Sequence, residues 1–203
     1  MMAHPAAPVA ISGGPSLLAE RSMISNRRII LAGTCAVLAP LAQAALDVGD
    51  KAPDFTTAAA QAGKPFQFSL SAALAKGPVV LYFFPAAFSE GCSIEAHSFA
   101  EAITQYESMG ATVVGVSRDD IGVLSRFSVQ ACNGKFAVAS DESMAIARSF
   151  DAVMQHRPDY ANRVSYVIAP SGKVAYSYLS LDPSRHVSNT LAALRDLKQR
   201  AAK

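Results

Sequence analysis

Covalent chemistry in this chain rests first on its three cysteines, Cys35, Cys92 and Cys132. Of these, Cys92 has the neighbours suited to a reactive thiol. It closes the stretch VVLYFFPAAFSEGC, Val79 to Cys92, in which an apolar β-type run is broken by Pro85. A helix pattern begins there, with Cys92, Ala96, Phe99, Ile103 and Tyr106 at helical spacing until Gly110 supplies a stop. The unpaired amides and the dipole of a helix N-terminus favour an anion. A thiolate is the nucleophilic form of cysteine, and such surroundings lower a thiol pKa from about 8.5 to roughly 3.5–7.5. Ser89 places a hydroxyl beside the same spot. On these residues alone an inert core thiol is an equal competitor, because cysteine is commonly buried.

The elements that must position this thiol are readable from the same patterns. Pro78–Phe84 is a continuous apolar run, as in a strand buried on both faces. ATVVGVS (111–117) and KFAVASD (135–141) are two more strands, and Phe66-Gln67-Phe68 belongs to an early hairpin. Asp119 or Asp120 caps a helix carrying Leu124 and Phe127 that ends near Asn133-Gly134. A further helix carries Met144, Ala147 and Phe150, and 155–162 is loop. RVSYVIA, a Ser171-Gly172 turn and KVAYSYLSL form a hairpin, and a basic amphipathic helix from about Ser184 to Gln199 closes the chain. Strands alternating with helices, then a hairpin and a final helix, predict an α/β fold of thioredoxin-like order, with a mixed central sheet flanked by helices.

Composition bounds the function. The 203 residues are 51% hydrophobic and 17% charged, too apolar for a disordered chain and enough for one well-buried domain. A net charge of +2, without a basic stripe, argues against nucleic acid as a partner. Arg27-Arg28 precede eighteen uncharged residues, Ile29 to Leu46, with a small-x-small site at Ala42-Gln43-Ala44. That is the pattern of a cleaved secretory signal. Residues 1–44 are therefore read as a leader, with 23–44 the signal and Met23 the better start than Met1, and 45–203 as the domain. The expectation is an exported protein of the bacterial periplasm with no membrane insertion once the signal is removed. Cys35 leaves with the leader. From Ala45 onward the charges balance, and two cysteines remain in an oxidising compartment.

Pro85, Ser89 and Cys92 match the peroxiredoxin motif P-x-x-x-[T/S]-x-x-C, and the resemblance extends along the chain. Glu95, GVSRD (115–119), Ser140-Asp141 and RVSYVIAPSGK, opening at Arg163, resemble further family segments in family order. The branch most similar is peroxiredoxin Q, the bacterioferritin-comigratory group. This resemblance implies a thiol peroxidase acting on hydrogen peroxide and organic hydroperoxides. Cys92 would be the peroxidatic cysteine, Arg163 the cation stabilising thiolate and leaving oxygen, Ser89 a hydrogen-bond partner of the peroxide, and Pro85 a shield against bulk water. Glu90 is expected to point to solvent, since an inward carboxylate would oppose the thiolate. Many members resolve with a cysteine five residues beyond the first, where this chain has His97. Cys132 is the remaining candidate resolving residue, yielding a disulfide recycled by a thioredoxin-like reductant. Without it, an external thiol would complete a one-cysteine cycle. No cofactor or metal is expected, and a monomer or weak dimer is. A thiol–disulfide oxidoreductase is disfavoured because no C-x-x-C pair exists. A copper- or redox-binding module on this fold would need soft ligands converging near Cys92. His97 reads as a partly exposed polar residue, and His156 and His186 receive no role.

Overall fold

The computed structural model describes residues 45–201; the leader expected at 1–44 lies outside them. The early hairpin is β1 (Thr56–Gln61) and β2 (Lys64–Ser69), followed by a short α1 (Leu70–Leu74). The buried run is β3 (Val79–Phe83), leading through the Pro85 loop into α2 (Glu90–Ser108). β4 (Thr112–Ser117), α3 (Ile121–Gln130), β5 (Ala137–Ser140) and α4 (Ala145–Ser149) follow. The chain then makes the hairpin β6 (Val164–Ile168) and β7 (Val174–Leu179) and ends in α5 (His186–Ala201).

One seven-stranded sheet results, in the order β2-β1-β5-β4-β3-β6-β7. β3, β4 and β5 run parallel, whereas β6 is antiparallel to β3 and β1 to β5. This is the mixed sheet expected, and it is central because β3 is buried along its whole length. Alternation along β3 splits the core in two. Leu81 and Phe83 point to one face, with Leu70 of α1, Ala147 of α4, Phe150 and Tyr166. Val80 and Tyr82, followed by Phe84, point to the other, against Phe99 of α2, Phe127 of α3 and Leu191 of α5. Both cysteines of the domain belong to this second cluster.

Three boundaries differ from the sequence reading. β1 and α1 carry too much alanine for a clear period, and tertiary pairing supplies them instead. The second predicted helix stops at Gln130, so Cys132 lies beyond it in a turn rather than on its last residues. That turn is closed by Gly134 N–H donating to Ser128 O (2.8 Å) and Lys135 N–H to Cys132 O (2.9 Å). It places Asn133 and Gly134 at φ of 50° and 70°. The last helix is entered through a 3-10 turn, Pro183–Arg185, so His186 is its first residue. No helix among the described residues is long and apolar enough to cross a membrane.

Candidate active site

Cys92 stands in the first turn of α2, whose N-cap is Ser89. Ser93 N–H bonds back to Ser89 O (2.9 Å), and the amides before it are the unpaired donors of a helix start. The Ser89 hydroxyl does not cap the helix; it donates to Ala86 O (3.0 Å) across the loop and is exposed. Its lone pairs therefore remain open toward the space ahead of the helix. Pro85 and Ala86 are half-buried, and Glu90 is exposed as expected. Phe88 holds the loop's tightest bend, at φ of 63°, with its ring edge against Phe127 at 5.3 Å.

Asp119, at the end of β4, pins the same loop. Its Oδ2 accepts from Ala87 N–H (2.7 Å) and from the Ser117 hydroxyl (2.8 Å). Asp120 is the residue that caps α3, accepting from Val123 N–H (2.9 Å). The two adjacent aspartates thus divide the work that the sequence left open between them. Asp141 likewise serves structure, accepting from the Ile146 and Ala147 amides that open α4.

Arg163, at the start of β6, reaches the thiol from a distant part of the chain. Its Nη2 donates to Cys92 Sγ at 3.4 Å, its Nε to Leu181 O at 2.9 Å, and its Nη1 makes a close ion pair with Glu95 Oε2. A Cβ at Gly91 would meet Nη2 at 3.1 Å, so glycine there lets the guanidinium lie against the helix start. Arg163 is 5% exposed and Cys92 1%. Burial works against the guanidinium charge, but Glu95 and Cys92 more than restore it, and its pKa stands above the ordinary value. A cation fixed in this way, beside a thiol at a helix N-terminus, is matched to a thiolate and to charge developing on a leaving oxygen.

Behind Arg163 lies a polar layer that local patterns do not announce. Glu95 is fully buried; desolvation pushes its carboxyl up to about 7 even though Arg163 opposes the shift. His186 is also fully buried and lies 3.5 Å from Glu95 Oε1. Glu95 carries a signal through its place in the family-like segment. His186 carries none, because nothing in its own sequence window reveals contact with α2. His97 is exposed and pairs with Glu101 one turn on (3.4 Å). Cys132 is buried in the same apolar cluster as Cys92, and burial pushes its thiol up to about 12. Both cysteines are free thiols.

The fold and the matched sequence define the class: the chain belongs to the AhpC/TSA family, whose model matches residues 48–177. Within that family it is similar to peroxiredoxin Q and Bcp proteins. It is 31% identical over 121 residues to the chloroplastic peroxiredoxin Q of Triticum aestivum, covering 59% of this chain and 55% of that relative. It is 28% identical over 123 residues to peroxiredoxin Bcp of Xanthomonas campestris pv. campestris, covering 58% and 76%. Among solved structures, the peroxidoxin BcpB of Mycobacterium tuberculosis superposes with a TM-score of 0.65 at 28% identity, over 74% of this chain and 97% of that one.

Proposed function

We propose that Cys92 is the peroxidatic residue and that Arg163, Ser89 and Pro85 complete its site. The Arg163 Nη2 contact to Cys92 Sγ (3.4 Å) carries this reading, since it joins a fixed positive charge to a thiol at a helix N-terminus. The thiolate attacks the distal peroxide oxygen; an S–O bond forms, the O–O bond breaks, and the departing oxygen takes up a proton as water or alcohol. Sulfur is oxidised by two electrons to the sulfenic acid and the peroxide is reduced. Arg163 holds the thiolate and meets the charge that develops on the leaving oxygen. Ser89, whose one hydroxyl hydrogen goes to Ala86 O, accepts a hydrogen bond from the peroxide O–H, and the half-buried Pro85 limits water at the mouth.

Cys132 then attacks the sulfenic sulfur, giving a Cys92–Cys132 disulfide and water. A bridge needs the two Cα atoms within about 7 Å. We read the turn at Asn133-Gly134 as the element that opens to bring Cys132 to Cys92. A thioredoxin-like dithiol reduces the disulfide and returns both thiols. We read residues 1–44 as an export leader, which places the enzyme in the bacterial periplasm, and the folded unit as a monomer or weak dimer. The test is peroxide consumption with mass spectrometry of the cysteines in wild type, Cys92→Ser and Cys132→Ser. Full activity in Cys92→Ser would reject the assignment. A stable sulfenic acid without disulfide in wild type would replace the two-cysteine cycle by one that uses an external thiol.

A further inference from the structure

His186 and Glu95 are buried together beside Arg163, and their hydrogen bonds fix which atoms carry protons. His186 Nε2 lies 2.9 Å from Ser180 O, which can only accept, so Nε2 carries the hydrogen. Nδ1 is 2.7 Å from Ser165 Oγ. In the neutral ring Nδ1 is a bare acceptor, so the Ser165 hydroxyl donates to it. Burial keeps this imidazole neutral, with its pKa lowered to about 4; the charge of Arg163 acts in the same direction and Ser180 O against it. Glu95 Oε1 consequently faces an acceptor and has no hydrogen-bond partner, while its Oε2 holds Arg163. A carboxylate oxygen buried without a donor is costly; the one lone pair of Nδ1 is taken by the Ser165 hydroxyl, and protonating the Glu95 carboxyl removes the cost by removing its charge.

The charge on Glu95 decides how Arg163 is shared. When Glu95 is ionised, its charge cancels that of the guanidinium. Once it is protonated, the full guanidinium charge is left to the Cys92 thiolate. We propose that His186 is a positioning residue of the thiol site: by presenting Glu95 with a ring nitrogen that has no proton to donate, it keeps that carboxyl protonated and directs the charge of Arg163 to Cys92. This rests on the peroxidase reading above and extends it to a residue that touches neither the thiol nor the substrate. The other groups facing the pair are Cys92 on the same helix as Glu95 and Tyr82 from β3. Around the ring are Asp182 in the preceding loop and Tyr178 of β7, whose ring meets the imidazole edge at 4.8 Å. One loop serves both side chains, because Ser180 O holds the imidazole and Leu181 O holds Arg163.

The test uses two substitutions with opposite expected signs, each in the Cys132→Ser background so that one thiol is read. His186→Asn brings an amide N–H toward Oε1, which stabilises the carboxylate. The thiolate fraction of Cys92 at neutral pH, followed by its ultraviolet absorbance, should fall by about threefold or more. Ser165→Ala frees Nδ1 to accept from Glu95 alone, so the thiolate fraction should rise. In a Glu95→Gln background both shifts should vanish. A residue that only packs α5 would lower the melting temperature and leave the thiolate titration of the folded protein in place, which would overturn the proposal. Shifts of the same size in the Glu95→Gln background would overturn it too. Should His186→Asn not fold, Ser165→Ala alone decides by the sign of its shift. The thiolate is read without peroxide, so a failure here is distinct from a failure of the peroxidase reading, which the turnover of wild type tests.

Discussion

Cys92 and Cys132 sit in one apolar cluster, 1% and 0% exposed, and depth of burial cannot tell them apart. Their polar neighbours do. Cys92 has a helix start in front of it, a guanidinium at 3.4 Å and a carboxyl one step behind that cation. Cys132 has only burial acting on it, and its thiol is pushed up to about 12. The same desolvation that silences a thiol in apolar surroundings raises the worth of a fixed charge, since a buried pair interacts in a lower dielectric than a solvated one. The second difference is backbone setting. Cys92 is held by a 19-residue helix, whereas Cys132 hangs on a two-residue left-handed turn beyond a helix end. One thiol is set among fixed polar groups at a helix start, the other on a turn in apolar surroundings.

The sharpest way to break this contrast is to exchange each sulfur for oxygen. Cys92→Ser should lower single-turnover peroxide consumption by at least about a thousandfold, because the nucleophile itself is gone. Cys132→Ser should leave that first turnover intact and remove only the disulfide. A first turnover lost in Cys132→Ser instead would invert the roles. Next in size is the cation. Arg163→Met should slow the reaction with peroxide by about a hundredfold, the scale for losing one donor aimed at developing charge. It also strips Glu95 of its partner, a loss of roughly 3–5 kcal/mol where the carboxyl is ionised. Thermal unfolding should therefore show this variant relatively more stable at mildly acidic pH than at neutral pH. No such pH dependence is expected of a substitution at Cys132, whose surroundings hold no charge.

Glu95 and His186 sharpen the comparison through stability alone. Folding raises the Glu95 carboxyl from 4.5 to about 7, so its contribution is lost as pH rises through that window. Folding lowers the His186 imidazole from 6.5 to about 4, so its contribution grows as pH rises through its own. Between about 4.5 and 6.5 the two slopes oppose each other: the unfolded chain holds an ion of each sign, and the folded pair is neutral on both sides. Wild-type stability should be nearly flat there. Glu95→Gln should leave the histidine slope exposed, with denaturant-measured stability climbing by up to about 3 kcal/mol from the acid to the neutral end. A flat profile in the variant would show that His186 is not held neutral by its site.

The contrast was half legible in the sequence. The apolar run, Pro85 and the helical spacing after it place Cys92 at a helix start, because periodicity and a chain break are local properties. Arg163 came into view only through a family-like segment, since β6 reaches the thiol by pairing with β3 and not by proximity along the chain. His186 and Asp119 stayed hidden for the same reason. Their roles lie in contacts between α5 and α2, and between the end of β4 and the Pro85 loop, which no local period encodes. The end of α3 was displaced because Asn133-Gly134 marks the left-handed turn and not the last helical residue, which is Gln130.

The smallest expected effect tests that turn. Gly134 holds φ at 70°, and a Cβ there would meet the Ala62 Cβ at 3.2 Å, so Gly134→Ala strains the closed turn from two sides. The cost is about 1 kcal/mol for the backbone alone. Because that strain is released when the turn opens, the open population should rise by roughly fivefold. If opening precedes disulfide formation, stopped-flow measurement should show Cys92 sulfenic acid converting to disulfide faster by about that factor, while its formation by peroxide stays at the wild-type rate. A conversion rate unmoved by the substitution would mean that Cys132 reaches Cys92 by another motion, with the helix start of α2 as the moving part. The two thiols would then exchange mechanical roles, though their electrostatic ones would stand.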